Sequence, residues 1–180
     1  MSGPDPQSDR KLVEAANRGD MHAFETLYLR HREYVVRLAY RFTGKREDAL
    51  DVLQETFIYL LKKIPGLRLT AAMTSFLYPV VKHISFNIKR RKMKSMPDEG
   101  FWIAPSAAEN HDAQRDELAL VMRELPQGQQ EVLLMRFVDD MSLKEIAQAL
   151  DIPPGTVKSR LHNGLDKLRR DPKTRDYFLD

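Results

Sequence analysis

A chain of 180 residues is long enough for one domain or two small ones, at roughly 100–200 residues per domain. Its 42% hydrophobic content supports a core and excludes wholesale disorder, while the lack of cysteine excludes a disulfide scaffold, cysteine-ligated zinc, an iron–sulfur cluster and a thiol nucleophile. The net charge is only +3, but residues 1–95 hold 18 Lys and Arg against 10 Asp and Glu, residues 96–117 hold one Arg against 6 acids, and residues 118–180 hold 10 against 10.

That asymmetry points to separate modules and a polyanionic partner. No apolar run approaches the roughly 18 residues of a membrane span, and residues 1–10 are polar with no hydrophobic signal segment after them. A soluble, cytoplasmic protein without membrane contact is expected. Along the chain almost every periodic segment reads as helix. Asp9 to Arg18 forms a short amphipathic stretch ended by Gly19. Asp20 caps a longer helix to about Thr43, with Phe24, Leu27, Tyr34, Val35, Leu38 and Phe42 near the helical period and Gly44 as its stop. A third helix runs from about Glu47 to Ile64, where Pro65-Gly66 breaks it, and a fourth from about Ser75 to Lys92. Pro is tolerated in a first turn but kinks a helix further in, so Pro79 predicts a start near Tyr78 or a bend there.

Residues 96–117, with Pro97, Gly100, Pro105 and an acidic bias, have linker composition, interrupted by the apolar island Phe101-Trp102-Ile103. Beyond them a short helix reaches Glu124, followed by helices of about Gly128 to Val138, Leu143 to Leu150 and Thr156 to Arg170. The fold class is all-α: two small helical domains joined by a flexible linker.

The C-terminal half carries the most specific pattern. Ser142-Leu143-Lys144-Glu145 is a capping box, Asp151-Ile152-Pro153-Pro154-Gly155 forces a turn, and Thr156 opens a second helix. On that helix Val157, Leu161, Gly164, Leu165 and Leu168 share one arc. Ser159, His162, Asn163 and Asp166 lie opposite, flanked by Lys158, Arg160 and Lys167. A short helix, a tight turn and a helix with one buried stripe and one hydrogen-bonding face make a helix-turn-helix. Short polar side chains suit base edges in a major groove, and long cations suit phosphates. The runs Leu125-Pro126, Glu131 to Phe137, Ser142 to Ala147 and Gly155-Thr156-Val157-Lys158-Ser159-Arg160-Leu161-His162 resemble region four of the ECF-type bacterial sigma factors. The resemblance spans about Leu125 to Arg169. It implies that Thr156, Lys158, Ser159, Arg160, His162, Asn163 and Lys167 meet the minus-thirty-five promoter element. The family often has Arg where this chain has Asn163.

The N-terminal half supplies a second signature. Asp48, Asp51 and Glu55 recur at three- and four-residue spacing and share a helix face that can meet a basic partner. The run from Asp48 to Phe57 is similar to the family's region two helix, which implies that Asp48, Asp51, Gln54, Glu55 and Phe57 dock core RNA polymerase. Further on, residues 78–95 hold Lys82, Lys89, Arg90, Arg91, Lys92 and Lys94 with no acid. Tyr78, Lys82, Phe86 and Lys89 fall on one face, and rings interleaved with cations suit single-stranded nucleic acid, stacking being worth about 1–3 kcal/mol per base. The resemblance extends here too, with Phe76-Leu77 where the family commonly has Trp-Leu. It implies that Arg68, Phe76, Tyr78, Lys82, Phe86, Lys89, Arg90 and Arg91 engage the minus-ten element, and that the loop of about Pro65 to Ser75 holds a base flipped from it.

The implied organisation is region two over residues 9–95, a linker over 96–117, region four over 118–171 and a tail over 172–180. Its partners are bacterial core RNA polymerase, promoter DNA as duplex and melted strand, and an anti-sigma factor. No catalytic residue, metal or cofactor is expected: the histidines lack metal-ligand spacing, the glycines are isolated, and no nucleophile motif is present. The rival readings are a stand-alone helix-turn-helix regulator, which binds duplex without polymerase, and a sigma mimic that sequesters an anti-sigma factor.

Overall fold

The computed structural model describes residues 6–92 and 113–175, with side chains over 8–92 and 117–175. Among the described residues there are eight helices and no strand. The chain divides into two compact units, Met1–Gly100 and Phe101–Asp180. The linker stretch 96–112, with its Phe101-Trp102-Ile103 island, and the tail residues 176–180 lie outside the described residues.

The first unit is a bundle of α1 (Pro6–Asn17), α2 (Met21–Thr43), α3 (Arg46–Lys63) and α4 (Met73–Lys92). Asp20 caps α2 by accepting from the amides of His22 and Ala23 at 3.0 and 3.1 Å, which satisfies two otherwise orphaned donors. Gly44 ends it at φ +71, a left-handed conformation that glycine adopts without steric cost. Leu27, Val35, Leu38 and Ala39 of α2 are fully buried with Val52 and Leu60 of α3 and Leu77 and Val81 of α4. Helix α1 closes the bundle with buried Val13 and Ala16 and with a buried charge. Buried Asp9 accepts from Arg30 at 2.6 Å and from the ring nitrogen Nε2 of His31 at 3.0 Å. Burial raises the Asp9 carboxyl, but the hydrogen bonds and charges of His31 and Arg30 outweigh it and hold the group below its ordinary value.

Of the two expectations for Pro79, the start near Tyr78 is corrected. Helix α4 begins at Met73 and carries Pro79 in its interior. Proline gives no N–H to the helical ladder; its ring is exposed, while Leu77, Tyr78 and Val81 on either side are buried in the bundle.

The second unit contains α5 (Ala113–Arg123), α6 (Gln127–Phe137), α7 (Leu143–Leu150) and α8 (Pro154–Arg170). Val121, Leu125, Leu133 and Leu168 form a core cluster against which Leu118, Met122, Leu161 and Leu165 pack. Val132, Met135, Met141, Ile146 and Val157 are buried as well. Helices α6 and α8 approach so closely that a Cβ on Gly164 would lie 2.8 Å from Leu133 Cδ1. Beyond α8 the chain turns back, and the buried Thr174 hydroxyl donates to the Leu168 carbonyl, so the described start of the tail packs on its own unit.

Candidate nucleic-acid interface

Three surfaces carry the residues singled out by sequence. The first is α8. Ser142 accepts from the Glu145 amide at 3.2 Å, and Glu145 accepts from the Ser142 amide at 2.7 Å, so α7 starts at a fixed point. Asp151 turns the chain in the left-handed region at φ 52, and Pro154 opens α8 at a position where a missing N–H costs nothing. Val157, Gly164 and Leu168 then face inward, which fixes the rotation of the helix. Lys158, Ser159, His162 and Asn163 stand exposed on the other side, with Thr156 half-buried beside them. The Ser159 hydroxyl donates to the Thr156 carbonyl at 3.0 Å.

Two cations placed with that set have structural engagements. The Arg160 guanidinium lies over Gly128, where an added Cβ would come within 3.0 Å of it. Lys167 donates to the Glu124 carbonyl at 2.9 Å, beside the C-terminal end of α5, where a cation is favoured. Helical spacing places both at the flank of α8 but does not report the neighbouring helix ends.

The second surface is α4 with the loop before it. Leu77, Tyr78, Val81, Ile84, Ser85 and Ile88 are buried. Tyr78 is thereby corrected: it is 1% exposed and packs edge-on against Phe42, ring centroids 6.0 Å apart, so its ring belongs to the core and not to a stacking face. Phe42 also meets Phe86 at 5.9 Å, but Phe86 is 40% exposed and presents a ring surface to solvent. Phe76, Lys82 and Lys89 are half-buried, and Arg68, Arg90 and Arg91 exposed. Two polar residues not singled out by sequence, His83 and Asn87, lie beside this set. His83 Nε2 lies 2.9 Å from Asn87 Nδ2, and Arg90 donates to Asn87 Oδ1 at 3.4 Å, on the same exposed side as Phe86. The spacing 83–87–90 was the available signal.

The loop over 64–72 is held from outside. Leu67 is buried, the Asn17 amide donates to its carbonyl at 2.8 Å, and Arg10 donates to the Thr70 carbonyl at 3.4 Å.

The third surface is the acidic side of α3. Asp48 is buried and bound by Lys92, which also reaches Asp51 at 3.2 Å, while Arg91 lies 3.3 Å from Glu55. Hydrogen bonds from Lys92 to Asp48 and then Asp51 raise the ammonium above its ordinary value. A small groove of about 190 Å³ opens here, lined by Asp51, Gln54, Glu55, Ile88, Arg91 and Lys92. Phe57 is corrected: it is buried, edge-on to Phe24 and Tyr28 at 6.4 and 4.9 Å, and cannot touch a partner without the core opening. In its place Leu50, Ile58 and Leu61 are exposed, in a row with Gln54 at spacings of four, four and three. Among the described residues no cluster of metal-ligating side chains occurs, and no helix is long and apolar enough to cross a membrane.

Comparison with known proteins places both units. The Sigma-70 region 2 family model matches residues 27–95, and the Sigma-70, region 4 model matches residues 115–168. RNA polymerase sigma factor SigV of Bacillus subtilis is 30% identical over 141 residues, covering 77% of this chain and 84% of the relative. The ECF RNA polymerase sigma-E factor of Haemophilus influenzae is 30% identical over 172 residues, covering 86% and 89%. Among solved structures, CnrH in complex with the cytosolic domain of CnrY superposes with a TM-score of 0.65 at 23% identity, over 89% of this chain and 94% of the other. The sigma factor RpoE of Bartonella quintana, solved with the anti-sigma factor NepR, gives a TM-score of 0.60 at 18% identity, over 81% and 94%.

Proposed function

The chain belongs to the ECF-type RNA polymerase sigma factors, and on that premise we propose how its surfaces divide the work. As a sigma factor it is not an enzyme. It binds core RNA polymerase, directs it to promoters and promotes the DNA opening that starts transcription. Working on polymerase, it is cytoplasmic.

In this reading α8 enters the major groove of the minus-thirty-five element. Ser159, His162 and Asn163 read base edges, and Thr156 and Lys158 hold phosphates. Arg160 and Lys167 chiefly orient the helix. In the first unit Phe76 and Phe86 offer rings to unpaired bases, while Lys82, Lys89, Arg90 and Arg91 track the backbone, joined by His83 and Asn87. Arg68 and the loop before α4 receive a flipped minus-ten base. Binding the open strand more tightly than the duplex is what turns recognition into melting.

Docking uses the α3 face. Asp51, Gln54 and Glu55 with the apolar row Leu50, Ile58 and Leu61 suit a basic amphipathic helix of polymerase, and Asp48 supports them from within. A basic partner competes there with Arg91 and Lys92. Docking therefore releases two cations at the end of α4 for DNA phosphates, which couples polymerase binding to strand capture. Each unit alone binds DNA weakly and with steep salt dependence; tethered on polymerase they gain effective concentration. An anti-sigma factor covering the same apolar row would hold the protein inactive, as expected for a chain whose fold matches sigma factors solved with such partners.

The observation that carries this reading is the pair of unlike faces. A ring-and-cation row on α4 suits single strands, and a short polar row on α8 suits duplex. The test is transcription by purified core polymerase plus this protein on a randomised promoter library. Defined start sites with minus-ten and minus-thirty-five elements support it. Tight duplex binding without polymerase, and no transcripts, would favour a stand-alone regulator.

A further inference from the structure

Helix α1 precedes the region 2 match, which begins at residue 27. Yet it is fastened to both the bundle and the loop 64–72. At its first end Asp9 is buried and grips Arg30 and His31 of α2. From its last turn Asn17 donates to the Leu67 carbonyl at 2.8 Å, and from its middle Arg10 reaches the Thr70 carbonyl at 3.4 Å. These two carbonyls bracket Arg68 and Leu69, the centre of the loop. Asn17 is held in one orientation, since only its Nδ2 can donate to a carbonyl. Its Oδ1 is buried without a hydrogen-bond partner among the described residues, an arrangement that costs free energy and is kept nonetheless.

We infer that α1 is a brace for the minus-ten loop, with Asn17 as its principal positioning residue and Arg10 as a second. The brace fixes the backbone at Leu67 and Thr70 so that the loop between them presents one conformation to a flipped base. Base selectivity then depends on a residue that touches no DNA. A pocket that discriminates by hydrogen bonds loses selectivity quickly when its walls move, because mispaired polar groups are what reject the wrong base. The inference rests on the proposal that this loop receives the base.

The test compares wild type with Asn17→Ala, which removes the donor, and Asn17→Asp, which is isosteric but sets an acceptor against the Leu67 carbonyl. Full-length variants are assayed with core polymerase on promoters randomised across the minus-ten element, and amide exchange is followed in the free protein. Loss of one hydrogen bond corresponds to about three- to tenfold faster exchange in residues 66–72. The expected result is that rise, with α3 and α4 still protected, and a loss of about threefold or more in preference at one minus-ten position. Asn17→Asp should be the more affected, while polymerase affinity and minus-thirty-five preference stay within about twofold of wild type. Unchanged base preference in both Asn17 variants, alongside altered preference in Arg68→Ala and Leu69→Ala, overturns the brace and leaves the loop assignment standing. If the Arg68 and Leu69 variants also keep wild-type preference, the loop assignment itself fails and the brace with it.

Discussion

Replacing Asp9 by Ala tests how α1 is attached. Its carboxylate is 2% exposed and accepts from Arg30 at 2.6 Å and from His31, itself 1% exposed, at 3.0 Å. Truncation leaves the His31 ring without its acceptor in the core and Arg30 without its counter-charge. Breaking a buried charged pair typically costs about 3–5 kcal/mol. Arg30 retains access to water and recovers part of its hydration, so the expected loss is about 2–4 kcal/mol. The pH dependence has a definite sign. The folded carboxyl lies below its ordinary value, so its contribution is complete above the unfolded value of about 4 and is lost as pH falls through the folded value. The gap between wild type and Asp9→Asn should therefore be full at neutral pH and shrink below about pH 4. Urea unfolding followed through residue-resolved amide signals of α1 and α2, at neutral and acid pH, measures both effects. A loss below about 0.5 kcal/mol for Asp9→Ala, or a gap that does not change with pH, would refute the reasoning.

Arg91→Ala removes a rival for Glu55; exposed pairs of this kind contribute about 0.2–1 kcal/mol, so affinity for core polymerase measured at low salt should rise by about 1.4- to fivefold while binding to melted minus-ten strand falls. Ser142→Ala breaks the capping box and should lower the stability of the second unit by about 1 kcal/mol, read from its thermal unfolding, with no effect on the first unit. On α8 the two classes of contact separate by salt. Asn163→Ala or His162→Ala should relax base preference in the minus-thirty-five element by about 1–3 kcal/mol, whereas Lys158→Ala should weaken binding to all sequences alike and reduce the salt slope by about one.

Much of this molecule is legible in its sequence, because helices announce themselves by period and by caps. The stop at Gly44, the box at Ser142 and Glu145, and the inward stripe Val157, Gly164 and Leu168 all follow from local rules. What failed depends on a third element. Tyr78 shares a helical face with Phe86, yet Phe42 of α2 covers the one and leaves the other part-exposed. Phe57 follows the acids of α3 in sequence but points to Phe24 and Tyr28. The pairing of Lys92 with Asp48 and Asp51 spans more than 40 residues, and no spacing rule reaches that far. Pro79 broke a local rule inside a helix, with Leu77, Tyr78 and Val81 on either side buried in the bundle. Asn17 and Arg10 gave no signal at all, since their acceptors are backbone carbonyls of a loop.

The most direct measurement is the reactivity of unpaired minus-ten thymines to permanganate, on a promoter selected with this protein and purified core polymerase. Reactive thymines should appear only when protein and polymerase are both present, and should fade when Phe86 and Arg90 are replaced by Ala. Strand opening by polymerase without the protein, or opening undiminished in that variant, would contradict the account.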